Sequence, residues 1–170
     1  VVLVDGGDVL QGNPMTFVAS RAAAGAAGHP VMAAMNVMRY DAAVVGNHEF
    51  NYGLQVLKRA VAQARFPFLA ANARRPDGAR AFPAFTMIER AGVKVAIIGA
   101  TNPGAMVWDR DNLEGRLVIG DIVPSVRVAV DSARAAGAEL VVALVHAGLG
   151  NATTAKPRGT DDENVAARVA

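Results

Sequence analysis

Ala42-Ala43-Val44-Val45-Gly46-Asn47-His48-Glu49-Phe50-Asn51-Tyr52-Gly53 is the stretch on which the reading of this chain turns. Ala42 to Val45 form a short apolar run that ends abruptly in Gly-Asn-His-Glu, the pattern of a buried strand stopping where polar side chains must share one spot. Gly46 lets the backbone come close there. The amide oxygen of Asn47 and the imidazole of His48 are both usable donors to a divalent ion. Taken alone, the same residues read equally well as a loop that caps the next helix.

Two other stretches repeat the pattern. Val1 to Val4 end in Asp5-Gly6-Gly7-Asp8, and Leu140 to Val145 end in His146-Ala147-Gly148. Three apolar runs thus each deliver a carboxylate, an amide or an imidazole at the carboxyl end of a strand, where α/β proteins build their sites. Alone, Asn47 reads as a turn amide and His146 as a buried histidine satisfied by backbone; for Asp8, in its Gly-Asp context, a turn or capping role is the lesser reading. Together they point to a shared metal site, provided that the three meet in space.

Composition narrows the function classes. At 170 residues the chain is one domain's worth, enough to bury a sizeable core. It is 52% hydrophobic with only 5% aromatics, which describes an alanine- and valine-rich interior. A net charge of +2 is too small to argue for a nucleic-acid polymer as partner. With no cysteine, neither a disulfide framework nor a thiolate metal site can be built. No apolar run approaches the roughly 20 residues of a membrane helix, and no leader-peptide pattern opens the chain. Because the chain opens inside a strand, residues upstream are expected, and the missing leader decides nothing.

In order, the expected elements are a strand at Val1 to Val4, an active-end loop from Asp5 to Asn13, and a helix from Met15 to about Ala24 with Pro14 in its first turn. Val31, Met35 and Met38 form a helical stripe that packs on the sheet. After the central strand, Leu54, Leu57 and Val61 mark one face of a helix ending near Ala64. Phe66 to Ala70 is a strand whose Pro67 favours its start or an edge. Asn72 to Ala81 is a turn-rich loop in which Arg74 and Arg75 could touch a phosphate but read better as solvated. Phe85 to Glu89 and Val93 to Ala100 form a hairpin through Ala91-Gly92. Thr101 to Leu117 is irregular and holds the one tryptophan, Trp108, beside Asp109. A helix covers Asp121 to Ala136, with Pro124 in its first turn and Gly137 as its stop. Gly150 to Asp162 reads as mobile, and Asn164 to Ala170 as the start of a helix. Alternation of strands and helices with one hairpin predicts an α/β sandwich with mixed sheet pairing.

The ordered set Gly7-Asp8 with Gln11-Gly12, Gly46-Asn47-His48-Glu49, and His146 resembles the calcineurin-like metallophosphoesterases. More narrowly it resembles the catalytic domain of the bacterial 5′-nucleotidase and 2′,3′-cyclic-nucleotide 2′-phosphodiesterase family. Met35-Asn36, Tyr40-Asp41, Phe50-Asn51-Tyr52-Gly53-Leu54, Gly92 to Gly99 and Glu163-Asn164-Val165-Ala166 extend the likeness over nearly the whole chain. The resemblance implies a sandwich of mixed β-sheets flanked by helices. It also implies a two-metal phosphohydrolase that attacks nucleotides with a metal-bound hydroxide. Asp8 would bridge two divalent ions (manganese, zinc, cobalt or iron), with Asn47 and His146 on one of them. His48 would assist at the phosphate or leaving oxygen. Many relatives orient that histidine with an aspartate three residues on. Here the position is Asn51, whose amide can orient the ring but cannot stabilise its cation as a carboxylate does.

The same resemblance places an Asp-x-His before Val1 and a Gly-His-x-His beyond Ala170. Residues 1–170 are then expected to be a partial catalytic domain, with little turnover by itself and without the C-terminal domain that binds the nucleotide base. A periplasmic or extracellular setting and a nucleotide substrate follow from the likeness alone; no membrane and no nucleic-acid polymer are expected as partners. Among weaker candidates, Asp5 reads as a loop-supporting acceptor, Glu49 as an acceptor behind the site or a helix-start acid, Asp41 as a strand-start residue and His29 as structural. Two other functions remain open: a metal-free α/β binding or assembly module, and another ester hydrolase on the same scaffold.

Overall fold

In the computed structural model, which describes residues 1–21, 28–149 and 164–170, three short parallel strands lie in the order β1 (Val4–Asp5), β2 (Ala42–Val44) and β3 (Phe68–Leu69). Every residue of β2 is buried, which suits an alanine-valine run without polar alternation to the middle of a parallel sheet. A pair of two-residue strands, β4 (Ala73–Arg74) and β7 (Val118–Ile119), is antiparallel. The third sheet runs β5 (Phe85–Arg90), β6 (Val93–Ala100), β8 (Leu140–Val145), an antiparallel hairpin joined to a parallel pair. The hairpin turns at Ala91 and Gly92, both with positive φ.

The first and third sheets face one another. Ala42, Leu69 and Ile97 form a buried cluster on which Val4 and Leu144 pack. At Gly99 the layers are so close that a Cβ would lie 2.4 Å from the Cβ of Leu69, so only glycine fits. Helices cover the outside. Met32 and Met35 of α2 (Pro30–Met38) and Leu57 and Ala60 of α3 (Leu54–Val61) join Ala43 and Phe68 in the largest core. Ile122, Val126 and Ala129 of α6 (Ile122–Ala135) pack on Ile98 and Ala100. This is the expected sandwich of mixed sheets flanked by helices, with α1 (Pro14–Arg21) and α7 (Ala166–Val169) near the expected places.

Several local expectations shift. The first ladder begins at Val4 rather than Val1, and the strand around Phe66 narrows to Phe68–Leu69. Pro67 has no N–H to give; it contributes only its carbonyl, which accepts from the N–H of Ala43 at 3.0 Å. Met32, not Met38, completes the buried face of α2, because Met38 is the last helical residue and is more than half exposed. The loop expected over Asn72 to Ala81 contains β4, and the irregular span Thr101 to Leu117 contains α4 (Ala105–Trp108) and α5 (Arg110–Leu113). Helices of four residues fall below any hydrophobic period, and β4 finds its partner far along the chain. The expectations for Gly150 to Asp162 and for the helix end at Ala22 to Ala24 lie outside the described residues.

Candidate functional site

The loops leaving β1 and β2 are tied together by one carboxylate. Glu49, 1% exposed, sits in the 3-10 turn His48–Phe50 and points back beneath both loops. Its Oε2 accepts the N–H groups of Asp8 at 2.7 Å and Gly46 at 2.6 Å; its Oε1 accepts those of Val9 at 2.6 Å and Leu10 at 3.1 Å. Burial is the largest influence on this carboxyl and pushes its pKa up, while the N–H groups of Asp8, Leu10 and Gly46 pull it down. With both oxygens taken twice over by donors, the ionised form is the one this geometry accommodates.

Glycine makes the crossing possible. A Cβ on Gly46 would lie 2.3 Å from Asp8 Oδ1, and one on Gly7 would lie 2.7 Å from the backbone nitrogen of Gly46. Asp8 itself holds φ +67°, a left-handed conformation uncommon for a residue with a side chain and costing on the order of 1 kcal/mol. The bond from its N–H to Glu49 holds it there.

Asp8, Asn47 and His146 meet. His146 Nδ1 lies 2.7 Å from the carbonyl oxygen of Gly6, so it carries the hydrogen and donates. The other ring nitrogen, Nε2, is 3.0 Å from Asn47 Oδ1 and 3.2 Å from Asp8 Oδ2. In its neutral form that nitrogen would present a lone pair to two acceptor oxygens, an arrangement that needs a cation or a proton between them. Without metal the proton serves: the hydrogen bond to Asp8 raises His146 above its ordinary 6.5, against burial. Burial likewise works to raise Asp8, but the bonds from His146 and from the His48 N–H outweigh it and hold the carboxyl below 3.8. One carboxylate, one amide oxygen and one imidazole fit a divalent ion. Among the described residues, no group of three or more His, Cys, Asp or Glu side chains does so; the third donor here is an amide.

His48 stands beside this point. Its Nδ1 is 2.5 Å from Asn51 Oδ1, and Asn51 Nδ2 donates to both oxygens of Asp109 at 2.9 and 3.0 Å. Asn47, His48, Asn51, Trp108, Asp109 and His146 all line one cleft of about 520 Å³. Trp108 is 48% exposed and lies over Gly104, where a Cβ would come within 2.6 Å of its ring.

Of the remaining weaker candidates, Asp5 lies beside the site, near enough for the charges of His146 and Asp8 to act on it, and the others fall elsewhere. Asp5 Oδ1 accepts the Gly7 N–H at 2.8 Å, supporting the loop, and burial raises its pKa. Asp41 accepts the Leu3 N–H and pairs with Arg90 at the far end of the strands. His29 is buried at the entry to α2 with neither ring nitrogen hydrogen-bonded among the described residues, and burial lowers its pKa. Arg74 bonds the Gly78 carbonyl and Arg75 pairs with Asp77, both in the exposed turn. Asp109 and Trp108 are the site residues that sequence reasoning passed over. Their one signal was an aromatic and acidic cluster in a segment without periodicity.

No family model matches the chain. In an alignment of 162 positions that covers 87% of the chain it is 38% identical to the trifunctional nucleotide phosphoesterase protein YfkN of Bacillus subtilis, covering 11% of that protein. It is 38% identical over 161 residues to a 2′,3′-cyclic-nucleotide 2′-phosphodiesterase/3′-nucleotidase of Salmonella typhimurium, covering 87% of the chain and 25% of the relative. The crystal structure of the calcineurin-like phosphoesterase YfkN from Bacillus subtilis superposes with a TM-score of 0.88 at 34% identity, over 99% of this chain and 53% of that one. The chain thus spans between about a tenth and a quarter of the length of these curated relatives.

Proposed function

The chain belongs to the calcineurin-like phosphoesterases, and from that membership we propose that residues 1–170 form part of the catalytic domain of a nucleotide phosphohydrolase. The substrates proposed are 2′,3′-cyclic nucleotides and nucleoside monophosphates. The observation that carries the reading is the meeting of His146 Nε2 with Asn47 Oδ1 at 3.0 Å and Asp8 Oδ2 at 3.2 Å beside a cleft.

Two divalent ions bound there would supply an acidified water and positive charge for the phosphoryl oxygens. Asp8, with two oxygens, suits the shared position. Asn47 and His146 would hold one ion. The Gly6 carbonyl fixes the His146 tautomer that leaves Nε2 free to ligate. His48 lines the cleft and would donate a hydrogen bond to the phosphoryl or leaving oxygen, a contribution of roughly 10²–10⁴ in rate. Asn51 holds the far side of its ring.

By likeness to relatives of which the chain covers a minor share, the proposal extends to a longer protein with a C-terminal domain that binds the base. It also extends to a periplasmic or extracellular setting, to be checked by cell fractionation. Among the described residues no helix is long and apolar enough to cross a membrane.

The test has two arms. Manganese titrated into the chain should raise its melting temperature by linkage, and Asp8→Ala should abolish the rise. A flat titration would leave a metal-free module as the better reading. The full-length protein with manganese should open 2′,3′-cyclic nucleotides and release phosphate from nucleoside monophosphates. Hydrolysis confined to other esters would instead favour a different hydrolase on this scaffold.

A further inference from the structure

Asp109 begins the helical turn α5, yet none of its side-chain oxygens caps that turn. An aspartate at such a position ordinarily accepts N–H groups of its own helix. Here the carboxylate is 7% exposed, and both of its oxygens take the amide nitrogen of Asn51 at 2.9 and 3.0 Å. A second bond reinforces the docking: Asn112 Nδ2 donates to the carbonyl of Phe50 at 3.0 Å. The segment carrying α4 and α5 is therefore fastened to the turn that carries His48.

The chemistry of the three groups sets the direction of every hydrogen. A carboxylate can only accept, so Asn51 must turn its NH₂ toward Asp109 and its carbonyl oxygen toward His48. That oxygen can only accept, so His48 Nδ1, 2.5 Å away, must carry the hydrogen. A lone asparagine could not impose this, because its amide can rotate by half a turn and offer either a donor or an acceptor.

We infer that Asp109 is a positioning residue which, through the amide of Asn51, fixes both the ring orientation and the Nδ1–H tautomer of His48. The inference rests on the proposed phosphohydrolase site for its purpose but not for its geometry. His48 Nε2 is then the other ring nitrogen of a residue that lines the cleft.

Nitrogen-15 spectra of the imidazoles in the 170-residue chain test this without metal or substrate, with a His48→Gln variant to assign the signals. Native protein should show neutral His48 as the Nδ1–H tautomer. Asp109→Asn keeps the shape but frees the amide pair to rotate, so both tautomers should appear, while His29 and His146 signals and the melting temperature stay near native. Exchanging the two residues, Asn51→Asp with Asp109→Asn, puts a carboxylate directly against His48 and should restore the single tautomer. In the full-length protein, Asp109→Asn should lower kcat roughly 10–100-fold, in the range of other orienting partners, with KM within about twofold, and the exchange should recover most of the loss. An unchanged His48 tautomer in Asp109→Asn would overturn the inference. So would a loss that appears in KM alone, or one that the exchange fails to repair. If the tautomer responds as expected but native full-length protein turns over no nucleotide with metal present, the positioning role stands and the proposed function falls.

Discussion

The loops after β2 and after β8 deliver donors to the same point, and they are held in place by very different means. The first leaves a strand buried at every position and is braced from beneath by Glu49 and from the side by Asp109 and Asn112. The second leaves a strand with no buried residue, at the edge of its sheet, and its His146 is fixed through its own ring by the Gly6 carbonyl. One half of the site is built by the core. The other half is a single side chain held through its own ring, by the Gly6 carbonyl at one nitrogen and by Asp8 and Asn47 at the other. Damage to the first should therefore appear as lost stability, and damage to the second as lost affinity.

The largest expected effect breaks the braced side. Glu49→Ala strips the acceptor from four backbone N–H groups and should cost at least about 3 kcal/mol, since each buried donor left unpaired costs about 1–3 kcal/mol. Urea unfolding measures it. A loss under about 1 kcal/mol would mean that water replaces the carboxylate easily, and the contrast between the halves would vanish.

On the other side, His146→Ala should weaken manganese binding to the chain by at least an order of magnitude while leaving unfolding in urea much closer to native than Glu49→Ala does. Isothermal titration gives the first quantity. Equal destabilisation by the two variants would show that the edge strand depends on His146 as fully as the core loops depend on Glu49.

A smaller effect is pH dependence of the metal-free chain, which sharpens how the halves are joined. His146 is raised above 6.5, so its share of stability is complete below that pH and fades as pH climbs through the folded-state value. Asp8 is held below 3.8, so its share is complete above that pH and fades as pH falls through the lower folded-state value. The pair should contribute most between 3.8 and 6.5. Asp8→Asn should flatten the alkaline arm of a melting-temperature profile.

The smallest concerns the cleft wall. Trp108→Ala removes a half-exposed ring from the cleft that His48 also lines and should raise KM for nucleotides in the full-length protein only about two- to threefold, because the base is proposed to bind the C-terminal domain and the ring would add one aromatic contact worth about 0.5 kcal/mol. An unchanged KM would mean that the ring only packs on Gly104.

How much of this was legible depended on the range of the interaction. The three strand ends were readable because an apolar run followed at once by Gly-Asp, Gly-Asn-His or His-Ala-Gly is a local pattern. The order of strands and helices carried the sandwich for the same reason. Glu49 was readable only as an acceptor near the site; that it would gather N–H groups from Asp8, Val9 and Leu10 depends on two loops crossing. The β4–β7 pair and the short helices α4 and α5 left no period to read.

From the residues themselves came the donor types, the strands that present them, and the histidine with an asparagine three places on. Tertiary structure alone decided that Asp8 and Asn47 each come within 3.2 Å of His146 Nε2, and that Asp109 stands behind Asn51. The reason is physical: local sequence sets backbone preference and the face a side chain presents, whereas a hydrogen bond between residues 51 and 109 exists only once separate pieces of chain have packed against each other.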